Sequence, residues 1–306
     1  MNQKLLEVKN IYKSFGKIQA LNNVDFYLYK GKIHGLLGEN GAGKSSLMNI
    51  LSGIYQPESG SIHIDGKRVK KLNPDIAARF GIGMVHQEFR LINNFSIKDN
   101  LTLSKSNIYT DNFQEAFEKY SDIFTLSRDS STPIKELSIG EKQKIEIMKL
   151  IFNNNKIMLL DEPTSVLTPQ ETNQLKLSLQ KLSNEDNKAI VLITHKLKEI
   201  QEFTQSIFVL KDGVMVAKNL NTQNVTKNDL ITLMMGEIKE SKISKNNRKG
   251  RNKLEVESIF FENIHSNVPT LKNISLKIKA GEILGIAGVS GNGQVELANI
   301  ISGIER

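Results

Sequence analysis

The run Gly38-Glu39-Asn40-Gly41-Ala42-Gly43-Lys44-Ser45, followed by Ser46, fits G-x-x-x-x-G-K-[ST]. Glycines at this spacing let a backbone curl until several N–H groups face one anion, and a helix starting near Gly43 aims its positive end at the same point. Lys44 would reach the β- and γ-phosphates of a nucleotide, and the Ser45 hydroxyl would ligate Mg²⁺. Further along, residues 156–162 read as an apolar strand ending in two carboxylates, Asp161 and Glu162. Asp161 suits a metal held through water, and Glu162 suits polarisation of a water attacking the γ-phosphate. His195 follows a second apolar run, 189–194. Its position at the end of a core strand favours a γ-phosphate contact over a structural histidine. Gln87 follows the strand-like residues 82–86, and its amide can reach Mg²⁺ or the attacking water. Ser138, Gly140 and Glu141 stand where an amphipathic helix begins. That makes either an anion site or an ordinary helix cap.

These residues need strands and helices to carry them. Residues 32–37 predict a short strand before the glycine loop and 43–51 a helix after it, with Leu47, Ile50 and Leu51 on one face. The uninterrupted apolar runs 157–160 and 189–194 predict buried parallel strands. Asp212-Gly213 lies between two further strand-like runs, 207–210 and 214–218, and predicts a hairpin turn. Residues 96–126 read as mostly helical and form a candidate small lobe. The expected class is therefore α/β.

The chain also repeats itself. Residues 21–54 and 271–304 align without a gap at an offset of 250, with 14 of 34 positions identical. Gly31, Gly35, Gly38, Gly41 and Gly43 pair with Gly281, Gly285, Gly288, Gly291 and Gly293. Lys44 and Ser45, however, correspond to Gln294 and Val295, which offer neither a cation nor a hydroxyl. The reading divides the chain into a first unit at 1–236, a basic linker at 237–253 and the start of a second unit at 254–306. The formal charge of the whole chain is +8. The linker holds seven basic and two acidic residues and supplies +5 of it, so that charge reads as solvated linker rather than a nucleic-acid face. There is no cysteine, which excludes disulfides and thiolate chemistry. No apolar run approaches the roughly 20 residues of a membrane span, and the first residues read as no signal peptide.

The glycine loop, Gln87, LSIGEKQ at 137–143, LLDEPTSVLTPQE at 159–171 and His195 together resemble the ATPase domains of ABC transporters, in order and spacing. The resemblance covers residues 5–236 and restarts at about 254. It implies a P-loop NTPase fold: a RecA-like core, an antiparallel β subdomain and a helical subdomain. It further implies that ATP and Mg²⁺ are the cofactors, that Phe15 stacks on adenine (a core phenylalanine being the alternative), and that two such domains pair head to tail. Each ATP would then lie between one glycine loop and the Ser138–Glu141 segment of the other domain. LSIGE in place of LSGGQ, Thr168 in place of the usual aspartate, and the degenerate second loop resemble importers of simple sugars and nucleosides with two fused ATPase domains. That branch implies membrane permease subunits and a solute-binding lipoprotein as partners, the cytoplasmic membrane face as peripheral location, and no nucleic acid. A soluble twin ABC ATPase acting on ribosomes or nucleic acid is the alternative reading.

Overall fold

The computed structural model describes residues 4–103, 112–236, 250–262, 269–288 and 292–305. The chain divides into two compact units, Met1–Ile238 and Lys239–Arg306. In the first unit the elements run β1 (Lys4–Phe15), β2 (Ile18–Tyr29), β3 (Ile33–Leu37), α1 (Lys44–Leu51), β4 (Ser59–Ile64), β5 (Lys67–Val69), α2 (Pro74–Arg79) and β6 (Ile82–Val85). The helices α3 (Ile97–Thr102), α4 (Phe113–Phe124) and α5 (Ile139–Phe152) follow. Then come β7 (Ile157–Asp161), α6 (Pro169–Asn184), β8 (Ala189–Ile193), α7 (Leu197–Phe203), β9 (Ser206–Lys211), β10 (Val214–Asn221) and α8 (Lys227–Met235).

Two sheets organise this unit. An antiparallel sheet has the order β2-β1-β4-β5, and a six-stranded sheet the order β10-β9-β3-β8-β7-β6. In the second sheet β6, β7, β8, β3 and β9 run parallel, and only β10 is antiparallel. Every residue of β3 and β8 is buried, as continuous apolar strands covered on both faces require. The side chains of β7 and β8 alternate between two cores. Ala189, Val191 and Ile193 join Ile157, Leu159 and the α1 residues Leu47 and Leu51 in one. Ile190 and Leu192 join Met158, Leu160 and residues of α3, α4, α5 and α6 in the other. The helical residues 96–126 thus pack on the face opposite α1; their stretch 104–111 lies outside the described residues.

Strand order decides where chemistry can happen. In an open parallel sheet, ligands bind beyond the carboxyl ends of the strands. The chain leaves that edge of β3 into the glycine loop, of β6 towards Gln87, of β7 at Asp161 and Glu162, and of β8 towards His195. The register brings these exits level, with Val85 opposite Leu160, Asp161 opposite Ile193 and Leu36 opposite Ile193.

In the second unit β11 (Asn252–Glu262) and β12 (Pro269–Lys279) form an antiparallel pair, and α9 (Gln294–Ser302) follows. Residues 282–288 form no strand. Ile283, equivalent to the buried Ile33 of β3, is 99% exposed, and Leu284 and Ile286 are exposed as well. The proposed basic linker falls, over residues 237–249, outside the described residues, as do Val289, Ser290 and Gly291. Among the described residues no helix is long and apolar enough to cross a membrane.

Candidate functional site

A cavity of about 470 Å³ opens at the carboxyl edge of the sheet, lined by Asn40, Gly41, Gly43, Lys44, Ser45, Ser46, Gln87, Asp161 and Glu162, among others. Glycine at position 43 is required twice over. It caps α1 at φ +102°, and a Cβ there would lie 2.4 Å from the Ala20 carbonyl oxygen. Helix α1 then begins at Lys44 with no side-chain cap, so its first N–H groups remain for an anion. Gly38, Glu39 and Ala42 belong to the same loop but do not line the cavity.

The Lys44 ammonium is curled back on its own loop, donating to the Gly38 carbonyl at 2.6 Å and the Glu39 carbonyl at 2.7 Å. Only 8% of the residue is exposed. Burial pulls its pKa below the ordinary lysine value, against the pull of the Glu162, Asp161 and Glu39 carboxylates. Asp161 shifts the other way, raised by burial and by Glu162, with Lys44 opposing. The site thus holds a cation and an anion in a desolvated place, where a phosphate and a metal would each restore the favoured charge state. The oxygen donors facing it are a hydroxyl, a carboxylate and an amide (Ser45, Asp161 and Gln87), a set that fits Mg²⁺ already carrying phosphates and water. Among the described residues no group of three or more His, Asp or Glu could hold a metal without them.

Glu162 leaves the strand with φ +46°, a backbone conformation that non-glycine residues seldom adopt. Its amide donates to the Ile193 carbonyl at 2.9 Å, and its carbonyl accepts from Ser165 at 3.1 Å. That turn brings its Oε1 within 2.7 Å of His195 Nδ1. His195 itself is exposed and does not line the cavity.

Ser138, Gly140 and Glu141 are not among the cavity's lining residues. Ser138 is the N-cap of α5 in a capping box: its Oγ accepts from the Glu141 amide at 3.2 Å, and Glu141 Oε2 accepts from the Ser138 amide at 2.8 Å. Arg128 Nε also donates to Glu141 Oε1 at 2.6 Å and holds that carboxyl below its ordinary pKa. Gly140 has a local reason to be glycine. A Cβ there would meet Glu171 Oε1 at 2.2 Å, while Glu171 caps α6 through the Thr168 amide and hydroxyl, both at 2.9 Å. The first turns of α5 and α6 are therefore in contact within one unit.

Phe15 is 41% exposed, meets Tyr55 edge-on at 5.2 Å, and has Lys13 Nζ 5.2 Å from its ring centroid. It is not a core phenylalanine, nor does it line the cavity. Ile18, Gln19, Ala20 and the Asp212-Gly213 turn do, and sequence reasoning missed them. The turn was legible only as a hairpin signal. Its second task emerges from the fold, where Gly213 N–H donates to the Ala42 carbonyl at 3.1 Å and Asn22 N–H to the Gly213 carbonyl at 2.7 Å. In the second unit Gln294 stands beside Gly288, where a Cβ would meet its Nε2, and so replaces Lys44 in place but not in charge.

A glycine loop between a parallel strand and a helix, with carboxylates at the end of a neighbouring strand, defines the first unit as a phosphate-loop nucleotide-binding domain. Residues 21–165 match the family model described as ABC transporter, and the first unit, which holds them, has the α/β fold of that family's ATPase domain. It is 36% identical over 314 residues to the nucleoside import ATP-binding protein NupA of Lactococcus lactis subsp. cremoris, covering 100% of this chain and 61% of that relative. It is 39% identical over 306 residues to the ribose import ATP-binding protein RbsA of Clostridium tetani, covering 97% and 59%. The chain spans about three fifths of the length of the curated relatives it matches. Among solved structures, a dimeric bacterial ABC transporter cassette, MJ0796, is similar with a TM-score of 0.61 and 28% identity, over 69% of this chain and 97% of that one. The ADP conformation of the cassette MJ1267 shares the fold, with a TM-score of 0.67 at 22% identity.

Proposed function

We propose that the full protein is the ATP-binding and ATP-hydrolysing subunit of an ABC importer for a nucleoside or a simple sugar. The observation that carries the ATPase reading is the convergence of Lys44, Ser45, Gln87, Asp161 and Glu162 on one cavity. Lys44 releases the Gly38 and Glu39 carbonyls and turns to the β- and γ-phosphates of ATP. The loop amides and the start of α1 hold the remaining phosphate charge, and Ser46 closes the loop's end. Ser45, Asp161 and Gln87 hold Mg²⁺, which when bound neutralises charge on the phosphates. Glu162 takes a proton from water as the water oxygen bonds to the γ-phosphorus and the bond to the β-phosphate oxygen breaks, releasing ADP and phosphate. His195 orients Glu162 through the 2.7 Å contact and faces the γ-phosphate. Phe15 and Ile18 flank the base.

Residues 1–236 are the first cassette in this reading, and 254–306 belong to a second one whose loop lacks the cation. Ser138, Gly140 and Glu141 serve a nucleotide held by another cassette, which agrees with their absence from the lining of their own cavity. Permease subunits, a solute-binding lipoprotein and a cytoplasmic, peripheral membrane location follow from the importer reading, with the relatives' names as its support. Solute class is tested by stimulation: in a reconstituted transporter, ATPase activity rises with a loaded nucleoside-binding or sugar-binding protein. The first test is simpler. Lys44→Ala should abolish binding of a fluorescent ATP analogue to the 306-residue chain, and unchanged binding would remove the reading.

A further inference from the structure

Gln87 lies on a segment without regular structure, between the end of β6 at Val85 and α3. Such a segment satisfies its own backbone groups poorly, so something must hold it. Helix α5 reaches over and does so. The Arg90 amide donates to Glu146 Oε1 in a short hydrogen bond, and Lys149 Nζ donates to the Arg90 carbonyl at 2.8 Å. Both groups of one loop residue are thus gripped by two side chains one turn apart on one helix. Glu146 is only 5% exposed, and Lys149 Nζ stands 3.7 Å from its other oxygen. A carboxylate so buried is tolerable only where it is paired and hydrogen-bonded, and here its partners are the loop and its own helix neighbour. Two residues further on, Asn100 fixes Ile92 in the same way, accepting from its amide at 2.8 Å and donating to its carbonyl at 3.2 Å.

The grip connects two parts of the site. Helix α5 begins at Ser138, and Glu146 lies eight residues along it, roughly 12 Å at the α-helical rise. A short helix moves as a rigid body, so any displacement of Ser138 and Gly140 is delivered to Arg90, three residues from Gln87.

We propose that Glu146, with Lys149, is a positioning residue: it holds the Arg90 peptide and thereby makes the place of Gln87 at the cavity depend on helix α5. The inference rests on the proposed role of Gln87 beside Mg²⁺ and nucleotide. The Gln87 amide reaches the metal only while α5 holds the loop in its present course. Movement of the Ser138–Gly140 segment then alters metal binding at this unit's own site, without any contact between that segment and that site.

The test is the Mg²⁺ dependence of nucleotide binding, read by fluorescence of trinitrophenyl-ATP with the 306-residue chain. Gln87→Ala sets the benchmark. Support groups of this kind change metal affinity by about 10- to 100-fold, so Glu146→Ala should raise the Mg²⁺ half-saturation by about tenfold, as Gln87→Ala does, and leave binding in EDTA unchanged. The double variant should be no worse than either single one, because both remove the same interaction. Glu146→Gln keeps an acceptor for the Arg90 amide and should stay within about twofold of wild type. An unshifted half-saturation in Glu146→Ala or in Gln87→Ala, additive losses in the double variant, or equal damage from Gln and Ala at position 146 would each overturn the proposal. If Glu146→Ala fails to bind nucleotide even in EDTA, Lys149→Met serves instead, with a smaller shift in the same direction expected and none overturning it. Failure of the ATPase reading itself shows separately, as unchanged ATP binding by Lys44→Ala.

Discussion

Lowering the pH from 7 to 5 should destabilise the first unit in large part through His34. This residue is fully buried in β3; its Nε2 accepts the Tyr29 amide at 2.9 Å, so its Nδ1 carries the proton and donates to Ser206 Oγ at 2.6 Å. Burial pulls the imidazole from 6.5 down to about 4, with Lys32 adding to the fall. The folded state therefore binds fewer protons than the unfolded state between these two values. His34's contribution is fully present above pH 6.5 and is lost as pH falls towards 4. Proton linkage with those two values gives a loss of about 2 kcal/mol between pH 7 and pH 5, and about 3 kcal/mol once pH is below 4. Urea unfolding at pH 7 and pH 5, for wild type and His34→Leu, isolates the term. The variant should be less stable at pH 7, because Tyr29 and Ser206 lose a buried partner worth about 1–3 kcal/mol. Its stability should nevertheless fall by about 2 kcal/mol less than that of wild type over the acid step. Equal losses in the two proteins would refute the reasoning.

Glu162→Gln should bind ATP but lower turnover in the intact transporter by about 10²–10⁴-fold, the usual loss with a general base, as measured by phosphate release. Gln294→Ala should leave nucleotide binding and most turnover intact while Lys44→Ala removes both, in a paired assay of the two variants in the complete protein. Gly140→Ala should lower thermal stability by about 1 kcal/mol, because the new methyl displaces Glu171 from its cap on α6. Adding Glu171→Ala should make that Gly140→Ala step nearly neutral in a melting experiment, and an unchanged penalty would mean that the contact is not what requires glycine.

The parts of the site that a sequence shows are those whose residues are neighbours in the chain. Gly38–Ser45 carries loop and helix start in eight residues, and Asp161-Glu162 carries strand end and carboxylates in two. The helix expected from residue 43 begins at Lys44, with Gly43 as its cap, and the strand expected over 189–194 ends at Ile193. Other features depend on sheet order, which no local pattern encodes. His195 meets Glu162 because β8 lies beside β7. Ile18 and Asp212-Gly213 reach the cavity because two turns from different sheets close over Gly43. Glu146 and Lys149 looked like ordinary polar positions of an amphipathic helix, and only the course of the 87–92 loop gives them a partner.

The placement of β3 has a consequence for how the protein is made. Its partners β8 and β9 come late in the chain, and the His34–Ser206 bond spans 172 residues. The β1–β2 hairpin can form as soon as it leaves the ribosome, but the strand that mounts the glycine loop must wait for most of the unit to be synthesised. Contacts this distant in sequence slow folding, because a long loop must close before they form. During that interval β3 would resemble residues 283–286 of the second unit, an apolar run with no sheet to enter. Nucleotide should therefore bind only at the end of folding, and a nascent chain stalled before Ser206 should engage chaperones rather than ATP.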